Sequence, residues 1–249
     1  FISITVGYIY WGTGGLYSII NAAWGSLNNF TLIAIPLFVF MALMLQKSKV
    51  VADLYDTFYQ WSGQLKGGLA VATIIVGAIV AAMSGVTAAG VVGLGVIALP
   101  EMLKHGYDKD IASGSIMAGG TLGQIIPPSL NMVVYGAVTG VPVSALFAGG
   151  LTAGTIIAIL SIGYILIRSY INPDLCPSLP EVERISFKEK IILLKSIIAP
   201  TILVIVVIGS ILFGIATHTE GAAVGALGAI IFSIFTRRFS WKILWNASL

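Results

Sequence analysis

The chain has 249 residues, of which 57% are hydrophobic and only 9% are charged. A soluble domain usually carries about 25% charged residues, so this composition indicates an integral membrane protein. The net charge of +3 is too small to indicate nucleic-acid binding, and the one cysteine, Cys176, excludes an internal disulfide and argues against a zinc site.

The first apolar segment, Phe1–Ile20, predicts a membrane helix or the end of one, followed by a polar connection over Asn21–Asn29. A second apolar helix is predicted over Thr31–Gln46. The chain starts inside an apolar segment without the basic region of a signal peptide, and it ends at Leu249 just after another. We therefore expect a piece of a longer protein.

Residues Val50–Lys66 have the pattern of an amphipathic helix, with apolar side chains at helical spacing and acidic or amide side chains between them. The favoured interpretation is a helix that lies in the membrane interface. The other is an ordinary surface helix that packs against the protein. The apolar positions are Val51, Leu54, Tyr55, Phe58 and Trp61.

Gly67–Lys104 is an apolar stretch interrupted by a small, hydroxyl-bearing turn at Ser84. It could cross the membrane twice or form one re-entrant hairpin. Lys66 and Lys104 would lie on one side in either case, so charge does not decide. Each arm is short against the ~20 residues of a full crossing, which favours the hairpin.

Ile111–Val138 is a second long apolar stretch, broken near Gly123–Ser129. Pro127 has no backbone N–H to donate, and Pro128 disfavours the helical conformation of the residue before it. This stretch therefore predicts a discontinuous helix.

Three further apolar segments predict membrane spans. A polar loop precedes the second, and a polar break precedes the third. Glu220 in this break could be a functional acid, a structural tie between domains or the cap of the next helix, and the residues around it favour the cap. The three spans are Ser144–Ile167, Ile191–Phe213 and Ala222–Phe235. The loop is Tyr170–Lys190, and the break is Ala216–Gly221.

This layout places all 13 Lys and Arg on the side from which the hairpin opens. The opposite connections, Asn21–Asn29, Thr139–Pro142 and His218–Glu220, contain neither residue type. Since cytoplasmic loops are enriched in Lys and Arg, the hairpin is predicted to open to the cytoplasm.

The sequence has no enzymatic motif that its context supports. The two histidines, His105 and His218, are far apart, with no HExxH or phosphate-binding GxxxxGK[ST] motif. Ser84 has no histidine in a neighbouring span to act as its base. The prediction is a protein that is not an enzyme and has no cofactor.

Two interruptions in apolar helices instead indicate a bound polar ligand, because freed backbone groups in hydrocarbon need a partner. Freed carbonyls and hydroxyls suit Na⁺, and helix N-termini suit an anionic substrate. Alternatively, the hydroxyls only bond within their helices and the prolines only bend the chain. The candidate Na⁺ ligands are Ser84, Gly85, Gly120, Thr121 and Gly123, and the candidate substrate residues are Thr87, Pro127, Pro128, Ser129 and Asn131.

A Na⁺-coupled secondary transporter is the leading hypothesis. The alternatives are another ion-coupled carboxylate transporter or a passive channel that needs no binding protein.

Four segments together resemble the large membrane subunit of tripartite ATP-independent periplasmic (TRAP) transporters. The spacing of the Ser-Gly turn, the GYDKD loop and the IPPS break carries the resemblance. The segments are Thr31–Leu45, Gly67–Asp110, Gly119–Gly136 and Ala216–Trp241.

The resemblance implies an all-α polytopic protein of the bacterial inner membrane with inverted repeats. It implies a Na⁺ symporter with an elevator mechanism, whose moving parts correspond to Gly67–Lys104 and Ile111–Val138. The imported anion would be a C4-dicarboxylate, a sialic acid or a similar carboxylate. A periplasmic substrate-binding protein would deliver it, and a small four-helix membrane subunit would join the scaffold.

The resemblance also implies four parts: scaffold helices and an arm helix (1–66), a transport-domain hairpin and broken helix (67–138), a connecting span and loop (139–190) and the start of a second repeat (191–249). The second hairpin expected in this family is not in the chain, so these residues alone are not expected to transport.

Overall fold

The computed structural model describes residues 2–178, 180 and 186–248. These residues form α-helices joined by short turns, with no β-strand among them. The helices are α1 (Ile2–Leu27), α2 (Ala34–Lys47), α3 (Val50–Ser62), α4 (Gly68–Ser84), α5 (Thr87–Lys104), α6 (Lys109–Thr121), α7 (Leu130–Thr139), α8 (Val143–Ile171), α9 (Phe187–Leu212), α10 (His218–Phe235) and α11 (Trp241–Ser248).

Four helical segments of the described chain are long and apolar enough to cross a membrane. This confirms the predicted all-α, multi-pass architecture. The segments are Phe30–Lys47, Val143–Ile171, Glu189–Leu212 and His218–Phe235.

Helix α1 is not one of these four. It is interrupted at Gly12, whose φ of 56° is not helical, and Gly15 lies against the backbone of Gly7. The predicted polar connection over Asn21–Asn29 is wrong, because α1 continues to Leu27. The Ser26 hydroxyl donates to the Ala22 carbonyl at 2.9 Å, so this polar side chain is satisfied within the helix.

Helices α4 and α5 form a helical hairpin with Gly85 at its tip, and neither arm is among the four candidate spans. The two ends of the hairpin lie together. The Gly67 N–H donates to the Cys176 carbonyl at 3.0 Å, and the Asp108 N–H donates to the neighbouring Leu175 carbonyl at 3.0 Å. That the hairpin enters and leaves the membrane from one side stays a prediction.

The predicted discontinuous helix is also present. Helix α6 ends at Thr121 and continues as a 3₁₀ turn over Leu122–Gln124, and α7 begins only at Leu130. The gap contains Pro127 and Pro128. They interrupt the helix because proline donates no backbone hydrogen bond and disfavours a helical conformation of the residue before it.

Helix α6 packs closely between the two arms of the hairpin. A Cβ at Gly77 of α4 would lie only 2.5 Å from the Cα of Gly119 in α6, and a Cβ at Gly90 of α5 would lie 3.2 Å from the Gly120 carbonyl oxygen. Small residues let helix backbones approach in this way. The hairpin and α6 therefore form one closely packed unit.

Helix α3 buries its apolar face against α4 and α9, with Leu54 and Tyr55 almost fully buried and Trp61 38% exposed. Its packing agrees with the second of the two interpretations of this segment, a surface helix against the protein. Its position relative to a membrane interface stays a prediction.

The predicted cap at Glu220 is confirmed. The Thr217 N–H donates to Glu220 Oε2 at 2.8 Å, and the Glu220 N–H donates to Thr217 Oγ1 at 3.2 Å, which together form a capping box at the start of α10. The predicted loop Tyr170–Lys190 is shorter than expected, since α8 reaches Ile171 and α9 begins at Phe187. Position 179 and positions 181–185 of that loop lie outside the described residues.

Candidate functional site

The tip of the hairpin lies directly against the break between α6 and α7. The Gly85 Cα faces the carbonyl oxygen of Pro128, and a Cβ there would also lie 3.3 Å from the Leu130 nitrogen. A Cβ at Gly123 would lie 3.3 Å from the carbonyl carbon of Val86. The two interruptions that the sequence places far apart therefore meet in space.

Four helix ends converge at this contact. Helices α4 and α6 end here, at Ser84 and Thr121, and present the partial negative charge of C-terminal carbonyls. Helices α5 and α7 begin here, and neither N-cap residue, Val86 or Ser129, caps its helix through a side chain. Helix N-termini and helix C-termini thus lie side by side, and this arrangement suits an anion next to a cation.

Three of the five candidate Na⁺ ligands come together at the contact. The backbones of Gly85 and Gly123 are buried there, and half-buried Ser84 makes two long contacts, at 3.5 Å, with the backbone of Val86. Gly120 instead lies one turn back against α5, where it serves packing.

Thr121 is exposed, and its hydroxyl donates to the Ala118 carbonyl at 3.0 Å.

The candidate substrate residues also differ from one another in burial. Pro127 and Pro128 are buried, and the fully buried Ser129 hydroxyl donates to the Gln124 carbonyl at 2.7 Å. Asn131 is exposed.

Thr87 differs from the other candidates, because its Oγ1 atom is buried and has no hydrogen-bond partner within the described part of the chain. A buried hydroxyl without a partner costs free energy, so an oxygen of this kind next to two helix breaks points to a ligand.

The oxygen atoms at this contact include the backbone carbonyl of Pro128 and the hydroxyls of Ser84 and Thr87. Within the described ranges, no group of three or more His, Cys, Asp or Glu is placed to hold a metal ion. Carbonyl and hydroxyl oxygens are groups that suit a hard monovalent cation such as Na⁺.

Sequence reasoning missed Gln124, whose carbonyl accepts the Ser129 hydroxyl and fixes the shape of the break. It also missed the link between α3 and α5. The Tyr59 hydroxyl donates to Glu101 Oε1 at 3.3 Å and lies 3.3 Å from His105 Nε2. The spacing of Glu101 and His105, four residues apart on one helix face, was a signal for this cluster.

Residues 2–248 match the family described as "Tripartite ATP-independent periplasmic transporter, DctM component". The chain belongs to this family. TRAP permeases are transport proteins and not enzymes, and they work in general with a substrate-binding protein and a small membrane subunit.

The names of the relatives specify different substrates. The chain is 35% identical to the C4-dicarboxylate TRAP transporter large permease protein of Vibrio cholerae, over 86% of this chain and 46% of the relative. It is 30% identical to the ectoine/5-hydroxyectoine permease of Ruegeria pomeroyi, over 84% of this chain and 47% of the relative. It is 28% identical to the sialic acid permease of Vibrio cholerae, over 88% of this chain and 52% of the relative. The chain spans about half the length of the curated relatives it matches.

Proposed function

We propose that the chain is part of the large subunit of a Na⁺-coupled TRAP importer for an organic anion. The observation that carries the proposal is the contact between the hairpin tip and the helix break, with the unpartnered Thr87 Oγ1 beside it. In this proposal, carbonyls near Ser84, Gly85 and Gly123 bind Na⁺. The N-termini of α5 and α7, with Thr87, bind a carboxylate of the substrate.

A carboxylate substrate agrees with two of the relatives, whose names specify C4-dicarboxylate and sialic acid. The helix N-termini would contact only the carboxylate. The rest of the substrate would contact other groups, which is consistent with a family whose named substrates differ.

An elevator movement is part of the proposal. The support for it is that α6 packs tightly between α4 and α5, so that the hairpin and the break would move together as one body. A periplasmic substrate-binding protein would deliver the anion, and the small membrane subunit would pack on the scaffold, in the bacterial inner membrane.

Transport by the full-length permease tests the coupling. The permease and its small subunit are reconstituted in liposomes with the binding protein, and substrate uptake is measured under an inward Na⁺ gradient or the same K⁺ gradient. We expect uptake with Na⁺ only. Equal uptake in both salts would reject Na⁺ coupling, and non-saturable uptake without the binding protein would indicate a passive channel instead.

A hydroxyl deletion tests the site. Thr87→Val keeps the side-chain shape and removes the unpartnered oxygen, so we expect the apparent affinity for Na⁺ or for substrate to fall about tenfold, as for the loss of one hydrogen bond to a charged group. The matched control is Thr155→Val on α8, whose exposed hydroxyl donates to the Leu151 carbonyl. If both variants keep wild-type affinities, Thr87 is not a ligand.

A further inference from the structure

A groove of about 650 Å³ runs between α6 and α8, away from the hairpin tip. Its size lies within the roughly 300–1,000 Å³ typical of ligand pockets. The floor is apolar and buried, formed by Ile74 and Ile165 with Ile111. Leu160 and Tyr164 form the flank of α8 and are 67% and 63% exposed. The groove is therefore an open, apolar channel along a candidate membrane span.

One end of the groove is charged. Arg168 lies in the last turn of α8, where the apolar span ends, and Asp110 lies in the first turn of α6. The apolar part of the groove thus runs along the span, and the charged part lies at the boundary where lipid headgroups are found.

The charges at this end do not neutralise each other. Arg168 and Asp110 line the same groove, yet neither forms an ion pair with any residue that the structure describes. The nearby Asp108 is already used, because its carboxylate accepts the N–H groups of Asp110 and Ile111 at 3.0 and 3.3 Å as the cap of α6. A guanidinium and a carboxylate are thus available to a ligand that carries both charges.

We propose that this groove binds a phospholipid whose headgroup contains a phosphate and a primary ammonium, as in phosphatidylethanolamine. An acyl chain lies over Ile74, Ile111 and Ile165. The phosphate accepts hydrogen bonds from the planar guanidinium of Arg168, and the ammonium donates to Asp110.

The headgroup chemistry selects among lipids. A glycerol headgroup has no cation for Asp110, and a trimethylammonium headgroup has no N–H to donate to it. The proposal depends on the membrane location of the chain and not on Na⁺ coupling. A lipid here would lie beside the contact between α8 and α6, which moves with the hairpin in the proposed mechanism.

One substitution can fill part of the groove without changing its charged residues. A Cβ at Gly114 of α6 would meet no atom within 4 Å, so Gly114→Leu projects into open groove space. Gly149→Leu is the matched control, because Gly149 is an exposed glycine of α8 outside the groove whose Cβ would also meet no atom within 4 Å.

Native mass spectrometry of the full-length, detergent-purified permease tests the proposal. The probes are phosphatidylethanolamine, phosphatidylglycerol and phosphatidylcholine with identical acyl chains. We expect phosphatidylethanolamine to bind about tenfold more tightly than the other two, as for one charge-assisted hydrogen bond. Asp110→Asn should remove this preference, and Arg168→Gln and Gly114→Leu should weaken the binding of all three lipids, whereas Gly149→Leu and Arg237→Gln should retain both the affinity and the preference.

Three results would overturn the proposal. Equal binding of the three lipids, or wild-type binding by Gly114→Leu, would show that the groove holds no specific lipid. Preference for phosphatidylglycerol that depends on Arg168 but not on Asp110 would show that only an anionic headgroup is recognised. Thermal unfolding identifies any variant that is misfolded. The other variants still test the proposal in that case, because Arg168→Gln, Asp110→Asn and Gly114→Leu each change a different part of the groove.

Discussion

Two glycines with the same backbone conformation serve different purposes. Gly85 at the hairpin tip has φ of +62°, and Gly140 after α7 has φ of +74°. A Cβ at Gly140 would meet no atom within 4 Å, whereas a Cβ at Gly85 would overlap the Pro128 carbonyl oxygen. Gly140 is needed only for a left-handed turn, and Gly85 is needed for that turn and for the contact of the two breaks.

Substitution of these two glycines separates the two requirements. Gly140→Ala should lower the free energy of unfolding by roughly 1–2 kcal/mol, the cost of a left-handed conformation for an L-residue. Gly85→Ala should cost more and also reduce transport, because the tip must move away from Pro128. Thermal unfolding in detergent and uptake in liposomes would measure both effects. Equal losses in the two variants would show that the contact at Pro128 contributes nothing.

The arm helix α3 is held at both of its ends. At its start, Arg238 donates to both carboxylate oxygens of Asp53, at 2.5 and 3.4 Å, and to the Ser48 carbonyl at 2.8 Å. Near its end, the Trp61 indole N–H donates to the Lys190 carbonyl at 3.2 Å. The arm therefore links the chain after α10 to the start of α9.

Removing the Arg238 contact should loosen the first of these links. The side chains of Arg238 and Asp53 are 37% and 27% exposed, so water screens the pair, and we expect Arg238→Gln to cost about 1 kcal/mol of stability. The loss should shrink in high salt. Arg237→Gln is the control, at an exposed neighbouring arginine. A loss independent of salt and equal in both variants would contradict the role of this pair.

Helix α3 also contains a group that should make stability depend on pH. Partial desolvation raises the pKa of the Asp56 carboxyl although the residue is exposed at the surface, and the nearby carboxylates of Asp53 and Glu101 raise it further. The folded state therefore holds this proton more tightly than the unfolded chain does. Ionisation of Asp56 disfavours folding, and this penalty is full above the folded-state pKa and disappears as the pH falls below the unfolded-state pKa.

Asp56→Asn should accordingly raise the melting temperature at neutral pH and have little effect in acid. The control is Asp174→Asn, at an exposed aspartate outside α3. Melting temperatures across this pH range would measure the difference. The same gain at both pH values would show that the charge of Asp56 is not its cause.

At the scale of the whole molecule, contacts between elements bring four of the 13 Lys and Arg to one end. Hydrogen bonds from Gly67 and Asp108 to the segment after α8 bring both ends of the hairpin to the end of the molecule where Arg168 lies. Lys66, Lys104 and Lys109 are next to these contacts. The predicted orientation places this end in the cytoplasm.

Cysteine labelling of intact cells tests that orientation. The native Cys176 is buried, and Cys176→Ser removes it as a background. In the full-length permease, Val141→Cys in the turn between α7 and α8 should react with a membrane-impermeant maleimide, and Lys109→Cys should react only after the cells are opened. Labelling in the reverse order would invert the topology.

The sequence by itself determined which segments are helices and where two of them break. Apolar run length, prolines and small turns act locally, so the break at Gly123–Ser129 and the capping residue Glu220 could be predicted from neighbouring residues. Local signals failed at Asn21–Asn29, where the helix continues to Leu27 and the Ser26 hydroxyl bonds within it.

Only the tertiary structure decided what these elements do together. The contact of Gly85 with Pro128, the burial of Thr87 Oγ1 and the groove beside Arg168 depend on atoms far apart in the chain. It also separated candidates that looked alike in sequence. The Thr121 hydroxyl bonds within its helix, while the Thr87 hydroxyl has no partner in the described residues. The spacing of residues in the sequence does not predict this difference, because the burial of each hydroxyl depends on how α4, α5 and α6 pack.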